Sequence, residues 1–551
     1  MKRPAGVAFL LLIFALPLAA EQVAYQTKTV LSPVYTIDRK FKSMEGPQSS
    51  EPVYLVEGDT PELLWLIGVS TVMVGEDGVK RQRPELMCHV NLDLDVAAHR
   101  EIFGWTKSTN ARIVTLSQGQ LSARYPDGFG MPIMSHEPLL MTTQVLNHNI
   151  EKPNLKVRHK VTFEFVRDRD LKTPLRPLFN TGIFGMALVE GPDGIFGRSL
   201  EEPAGEEHGT SCMIGTQAPN AMGGSEYRDA MGRIFTGHWV VKPGREVNHT
   251  NVTKFLGLPF DTTLHYAAVH LHPYAESLEL RDLTTGETVF KSRAKGPRRG
   301  IGLTHVESFT SSEGIFLYKD HQYELISVYN NTTKNEQDSM AVMYLSPLDM
   351  EFRHPEDVAA ERARIQREKD DAPRLVLTTV TGEMTFRLLQ TIAPRTVEQF
   401  SALVRAGIYD DLLFTRIEPG FVAQVQRAEA RDRPLSAEQR SLIRKLALES
   451  SPAVRHHRGA LAMAREDDDP DSAETSFYIV LGDAPHLDGK YTLFGVLESG
   501  LAAIEEMERV PLQDGKTPLV RVRIVRAEVL ERAPAVANSD VAAETTVSQR
   551  Q

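Results

Sequence analysis

The chain has 551 residues, too many for one hydrophobic core, and at roughly 100–200 residues per domain it predicts about three domains. Its 41% hydrophobic and 25% charged residues are the proportions of a globular protein rather than of a disordered or membrane-embedded chain. A formal net charge of −11 excludes nucleic acid as the main partner, because phosphate binding requires a concentrated basic surface.

In chain order, "MKRPAGVAFLLLIFALPLAAEQ" combines Lys2 and Arg3, a short apolar run and small residues at Ala19 and Ala20. This predicts a secretory signal peptide over residues 1–20, hence an exported protein, periplasmic or secreted, with no membrane association after cleavage. The apolar run falls short of the ~20 residues that a membrane span needs. Export brings an oxidising compartment, yet the chain holds only Cys88 and Cys212, so it is no disulfide scaffold.

Residues 22–347 read as β-rich: alternating runs such as "KVTFEFV", "HYAAVHLH" and "YELISVY" are separated by Gly, Pro and Asn turns. The spacing predicts two β-sandwich domains, over 22–151 and 152–350. A charged linker over 351–373 follows, partly helical through i,i+4 charge pairs. In the third domain, 374–530, "RLVLTTVTGEMTFRLL" predicts two strands around a Thr-Gly turn. "APRTVEQFSALVRAG" predicts an amphipathic helix with Val397, Phe400 and Val404 on one face and Gly407 as its stop. The Ala/Ser/Thr-rich tail, 531–551, lacks the apolar residues to order itself. The fold class expected is mainly β.

Two places concentrate chemistry. In "HYAAVHLHPYAESLELRD", strand alternation puts His270 and His272 on one face. Two imidazoles so placed are half of a metal site or two solvated histidines on a surface strand. The other place is the series "FTRIEPGFVAQ" (Phe414 to Gln424), "RGALAMAREDDDPDSAETSFYI" (Arg458 to Ile479) and "HLDGKYTLFGVLESG" (His486 to Gly500).

In order and spacing these three blocks resemble the cyclophilins, the peptidyl-prolyl cis-trans isomerases, over essentially a whole domain from Arg374 to about Leu530. The resemblance implies a closed eight-stranded antiparallel barrel with a helix over each end, proline-containing polypeptides as partners, and no cofactor for isomerisation. It assigns catalysis to Arg416, Phe421 and Gln424. Substrate binding falls to Val422, Ala464, Ser476, Tyr478, Leu487 and Tyr491. Twisting an X–Pro amide means crossing a barrier of about 20 kcal/mol, and a guanidinium donating to the proline nitrogen favours the twisted state. The sequence departs from the family at Thr415 (usually histidine), Val425-Gln426 (a glycine pair), Ser476 (glutamine) and His486 (often tryptophan).

The stretches "WVVKPGREVNHTNVTKFLGLPFDTTLHYAAVHLHPYAESLELRD" and "YELISVYNNTTKNEQDSMAVMYLSP" resemble the second half of the ascorbate-dependent copper monooxygenases, the peptidylglycine and dopamine hydroxylases. The resemblance implies copper held by His270, His272 and Met340; a thioether beside two imidazoles suits Cu(I). "ELMCHVNLDLD" and "YPDGFGMPIMSHEPLLMTTQVLNHN" resemble the first half, where the family's second copper has two adjacent histidines. Here that pair is Cys88-His89, and the third position falls at Asn147 or His148, so the second set is at most Cys88, His89 and His148. The expected function is an exported isomerase carrying a copper-binding, monooxygenase-like region. Two other readings stand beside it: a copper monooxygenase whose cyclophilin domain is a peptide-binding module, and a non-enzymatic copper-binding or scaffolding protein.

Overall fold

A computed structural model describes residues 25–531 apart from 44, 59, 106–109, 152, 199–225 and 230. The expected signal peptide, Cys212 and all but the first residue of the expected tail therefore lie outside the described residues. The chain forms two compact units, Met1–Val358 and Ala359–Gln551. Among the described residues no helix is long and apolar enough to cross a membrane.

The N-terminal unit is almost entirely β. Its first half contains β1 (Gln26–Leu31), β2 (Gln48–Val53), β3 (Leu63–Gly75), β4 (Met87–Asp93), β5 (Arg112–Ser117), β6 (Phe129–Met134), β7 (Leu139–Val145) and β8 (Leu155–Arg167). One sheet runs β1-β8-β3-β6 and the other β2-β7-β4-β5. In β8 the alternation is plain: Val157, His159, Val161, Phe163 and Phe165 are buried, while Arg158, Lys160, Thr162 and Glu164 between them are less so. Because β8 pairs with β1 and β3, the strand following residue 152 belongs to the first sheet. The first pair of sheets thus extends past the boundary expected there.

The second half holds β9 (Thr181–Phe184), β10 (Trp239–Val241), β11 (Gly244–Asn251), β12 (Thr262–Leu271), β13 (Ala275–Asp282), β14 (Thr288–Lys295), β15 (Phe309–Leu317), β16 (Tyr323–Asn331), β17 (Gln337–Ser339) and β18 (Ala341–Pro347). One sheet runs β9-β18-β12-β15, a second β11-β16-β13-β14, and β10 pairs with β17 alone. Strand β12 is buried along nearly its whole length because both its faces are covered. Ala267, Val269 and Leu271 join the core shared with β13 and β16, whereas Tyr266 and Ala268 join the core of the first pair of sheets.

The expected linker is helical over Pro355–Asp371, with Arg364 paired to Glu361 and Glu368. In the C-terminal unit, β19 (Arg374–Thr379) and β20 (Gly382–Leu388) flank the Thr-Gly turn, and α1 (Pro394–Arg405) buries Val397, Phe400 and Val404. Then come β21 (Phe414–Glu418), β22 (Val422–Val425), β23 (Ala460–Met463), β24 (Phe477–Val480), β25 (Leu493–Ser499), α2 (Leu501–Glu508) and β26 (Ile524–Leu530).

These strands make one curled antiparallel sheet, β21-β22-β24-β23-β25-β20-β19-β26. It is not the closed barrel expected. No ladder joins β21 to β26; an isolated bridge between Leu413 and Arg523 and a few backbone hydrogen bonds, such as Phe414 N to Val522 O at 2.8 Å, span the gap. The chain turns at Asp411, whose φ is 66°, three residues before β21.

Candidate functional site

Arg416 projects from β21, and the antiparallel register sets it directly opposite Gln424 on β22. Its Nε donates to Glu418 Oε1 at 2.8 Å, and Nη2 lies 2.8 Å from the same oxygen. Glu418 can do this because i and i+2 on a strand share a face. Nη1 has only a 3.4 Å contact to Gln424 Oε1, which makes it the donor most available to a bound peptide.

The turn after β21 carries Phe421, and the carbon of the Arg416 guanidinium lies 5.8 Å from the centre of its ring. The turn is tightly held. Phe421 N donates to Glu418 O at 2.9 Å, Gly420 N to Glu508 Oε1 at 2.9 Å, and Leu481 N to Phe421 O at 2.8 Å. Gly482 packs so closely that a Cβ there would come within 2.1 Å of Gly420 O.

Phe421, Val422, Ala464, Tyr478, Leu487 and Tyr491 come together in one apolar cluster on this side of the sheet. Residues from three separated blocks of sequence thus line one patch. His486, in place of a frequent tryptophan, stacks on Phe421 with ring centres 5.4 Å apart. Ser476 is buried; its hydroxyl donates to Val425 O at 2.7 Å and accepts from Gln424 Nε2 at 3.4 Å. Serine is therefore spent on fixing β22 and orienting Gln424 rather than reaching outward. Burial pushes the Tyr478 phenol far up, so it is a neutral hydroxyl, and its oxygen has no hydrogen-bond partner. Sequence reasoning passed over Glu418, although Arg416 and Glu418 two apart on a strand were the signal.

Together these elements make an apolar patch with a cationic donor at its edge, beside a strand whose Gln424 amide is held by Ser476. Residues 374–529 match the family described as cyclophilin type peptidyl-prolyl cis-trans isomerase/CLD. Over 139 residues the chain is 42% identical to peptidyl-prolyl cis-trans isomerase CYP23 of Arabidopsis thaliana, spanning 25% of this chain and 61% of that protein. Over 158 residues it is 35% identical to peptidyl-prolyl cis-trans isomerase-like 1 of Gibberella zeae, spanning 28% of this chain and 94% of that one. A crystal structure of a Cryptosporidium parvum cyclophilin type isomerase, obtained in the presence of the dipeptide Ala-Pro, aligns with 28% of this chain and 98% of that chain. The identity is 24% and the TM-score 0.26. Through residues 374–529, this chain belongs to the cyclophilin-type peptidyl-prolyl cis-trans isomerases.

The N-terminal unit brings together a second set of groups. His270 and His272 are both buried, which removes the reading of two solvated surface histidines. Their ring centres lie 5.3 Å apart. His270 pairs with Val342 and Leu271 with Ala341, so the register continued by one residue sets His272 opposite Met340. Met340 packs with Val342 and Tyr344 against the first core, on the face of β12 that also carries Tyr266 and Ala268. The Tyr329 hydroxyl ties the two strands: it accepts from His272 N at 3.3 Å and donates to Met340 O at 2.5 Å.

Across from this face lie β4 and β5. Thr115 donates to Asn91 Oδ1 at 2.8 Å and contacts the Tyr344 hydroxyl at 3.1 Å, so the side of β4 bearing Asn91, and by alternation His89, faces β18. Burial pushes His89 down to about 3, with the charges of Arg112, His159 and His272 adding to the effect. Burial and then His272 and His89 likewise hold His270 well below the usual histidine value. Both are neutral imidazoles at neutral pH.

Cys88 is buried and sits at an irregularity between Met87 and His89, outside the β4–β7 register. Asn147 is committed to structure: its amide donates to Arg39 O and Ile150 O, and its Oδ1 accepts from Ile150 N. His148 keeps a buried Nε2 with no partner and is lowered by burial, then by His272. Cys88, His89 and His148 do not form a tight donor trio. Among the described residues, the trio of His, Cys, Asp or Glu whose ligand atoms all lie within 4.8 Å is His238, His272 and Asp338. The sequence reading named only His272 of these. Asp338, two residues before Met340, was the available hint.

Proposed function

We propose that the chain catalyses cis–trans exchange of X–Pro bonds in proline-containing polypeptides outside the cytoplasm, and that its N-terminal unit binds copper. The observation that carries the first part is Arg416: Glu418 occupies two of its nitrogens and leaves Nη1 beside the apolar patch. A proline ring seated against Phe421, Val422 and Leu487 would bring its nitrogen to that donor. As the amide twists, the nitrogen regains its lone pair and accepts a stronger hydrogen bond than the planar amide can. The transition state is thereby stabilised more than the ground state. Gln424 and Ala464 would hold the peptide backbone, and the patch would exclude water from the amide. The test is exchange spectroscopy on a short X–Pro peptide with the full chain. Catalysed exchange at substoichiometric enzyme supports the reading, and exchange at the uncatalysed rate refutes it.

His270, His272 and Met340 share one buried face and offer two imidazoles and a thioether, which fits copper, and Cu(I) above Cu(II). Bound there, copper would supply one-electron redox chemistry. Met340→Leu should weaken Cu(I) more than Cu(II), read by competition with chelators specific to each state. An equal effect on both would remove the thioether from the site. His89 lies on the face of β4 turned toward β18, and this favours a second reading in which the N-terminal unit is a copper monooxygenase and the cyclophilin groove a peptide-binding module. Ascorbate-dependent oxygen uptake coupled one-to-one to a hydroxylated product would establish that reading.

A further inference from the structure

We infer that His238, His272 and Asp338 form a binding site for one divalent cation of the zinc or ferrous type, a site that stands whether or not copper binds beside it.

Three separate segments deliver the donors. His238 immediately precedes β10, His272 lies one residue beyond β12, and Asp338 sits at the centre of β17. β10 and β17 pair with each other and with no other strand, Trp239 opposite Ser339 and Val240 opposite Asp338. This small ribbon carries His238 and Asp338 to the end of β12. His238 is fixed locally, its N–H donating to Thr236 Oγ1 and its carbonyl accepting from the same hydroxyl.

His238, His272 and Asp338 place one ligand atom each within 4.8 Å of one another. His238 Nε2 lies 2.8 Å from Asp338 Oδ1, and His272 Nδ1 lies 3.0 Å from Asp338 Oδ2. Both contacts are short, and His238 Nε2, His272 Nδ1 and Asp338 Oδ2 are all buried. Two donors each about 2.05 Å from one cation stand roughly 3.3 Å apart at the tetrahedral angle of zinc and roughly 2.9 Å apart at the right angle of an octahedral ion, so a slight opening of these contacts admits either. A carboxylate that merely neutralised one imidazolium would align with one ring; this one meets two, through different oxygens.

The chain beyond His272 turns sharply into β13. After Pro273, Tyr274 stands at φ 72°, a conformation that residues with side chains seldom adopt, and its carbonyl accepts from Asn330 N at 2.8 Å. With Nδ1 turned to Asp338, a His272 that also met copper through Nε2 would have to lose its ring proton and bridge the two ions as an imidazolate. Two imidazoles and a carboxylate are the donor set of catalytic zinc and of non-haem ferrous centres, harder than the thioether set next to it.

The experiment strips the full chain of metal with a chelator and titrates it with Co²⁺ alone, following the visible d–d absorption, and then displaces the Co²⁺ with Zn²⁺. One Co²⁺ per chain, displaced by one Zn²⁺, is expected. Asp338→Asn and His238→Gln should each lower Zn²⁺ affinity by at least the roughly 100-fold that even an outer partner of a metal ligand can be worth. Asp338→Glu, which retains a carboxylate, should recover part of it. Both positions are partly exposed, and circular dichroism of each variant verifies the fold. Absence of Co²⁺ and Zn²⁺ binding in the wild type, or wild-type affinity in Asp338→Asn and His238→Gln, would overturn the inference. Co²⁺ binding that depends on Met340 but not on Asp338 would also overturn it, while leaving the copper reading intact.

Discussion

Replacing Glu418 by glutamine should slow isomerisation without abolishing it, and the size of the loss reports what the carboxylate does. Glu418 holds Arg416 through Nε and Nη2, both at 2.8 Å. The pair is partly exposed, with 43% and 32% of the two side chains accessible, so its strength is that of a screened surface pair, about 0.5–1 kcal/mol. Glutamine retains one acceptor oxygen but removes the charge. Freed of the clamp, the guanidinium samples rotamers that take Nη1 away from the patch, and kcat/KM should fall roughly 2- to 5-fold. The fall should appear in kcat rather than KM, because the apolar patch is untouched. It should shrink at high salt, where the wild-type pair is itself screened. The assay is exchange spectroscopy at low and high ionic strength on one X–Pro peptide. A loss as large as that of deleting Arg416, or a loss confined to KM, would refute the positioning role.

Two further outcomes follow from the same unit. Glu449 is buried at the start of α1, where it accepts from Thr396 N at 2.8 Å, Thr396 Oγ1 at 2.7 Å, and Arg395 N and Nε at 3.2 Å. Burial alone would raise its titration, but these donors outweigh it and hold it below the ordinary 4.5. Its stabilisation is therefore full above about pH 4.5 and lost as the pH falls through the depressed folded value. Glu449→Gln should cost about 1–2 kcal/mol at neutral pH and flatten the acid limb of the denaturation profile; an unchanged acid limb would contradict the assignment. Gly482→Ala should push the Gly420–Phe421 turn out of place and lower isomerase activity along with stability, since the collision is with backbone. A fully active Gly482→Ala chain would show that the turn does not position Phe421.

How far the sequence foretold this structure depended on how local each feature was. Alternation put His270 and His272 on one face, and the helix over 393–407 buries the three residues its spacing selected, because both patterns are settled within a few residues. The cyclophilin blocks placed Phe421, Tyr478 and Leu487 in one patch for a different reason: the resemblance carried their long-range arrangement, which periodicity could not. Other features depended on tertiary context. The open edge of the sheet depends on whether β21 and β26, more than a hundred residues apart in the chain, form a ladder, which local pattern does not report. The expected break near 152 failed because a turn was followed by β8, which returns to pair with β1 and β3. His238 and Asp338 are brought to His272 by the two-stranded pairing of β10 with β17, and nothing near either residue announces a partner so distant in the chain.

Whether Arg416 supplies the donor that makes this chain an isomerase is decided by comparing kcat/KM of the 551-residue wild type and Arg416→Ala on the same X–Pro peptide. Losing a preorganised transition-state donor costs about 2.7–4 kcal/mol, so the variant should retain between about 1% and 0.1% of the wild-type value while still binding the peptide. Equal rates for the two proteins would contradict the account.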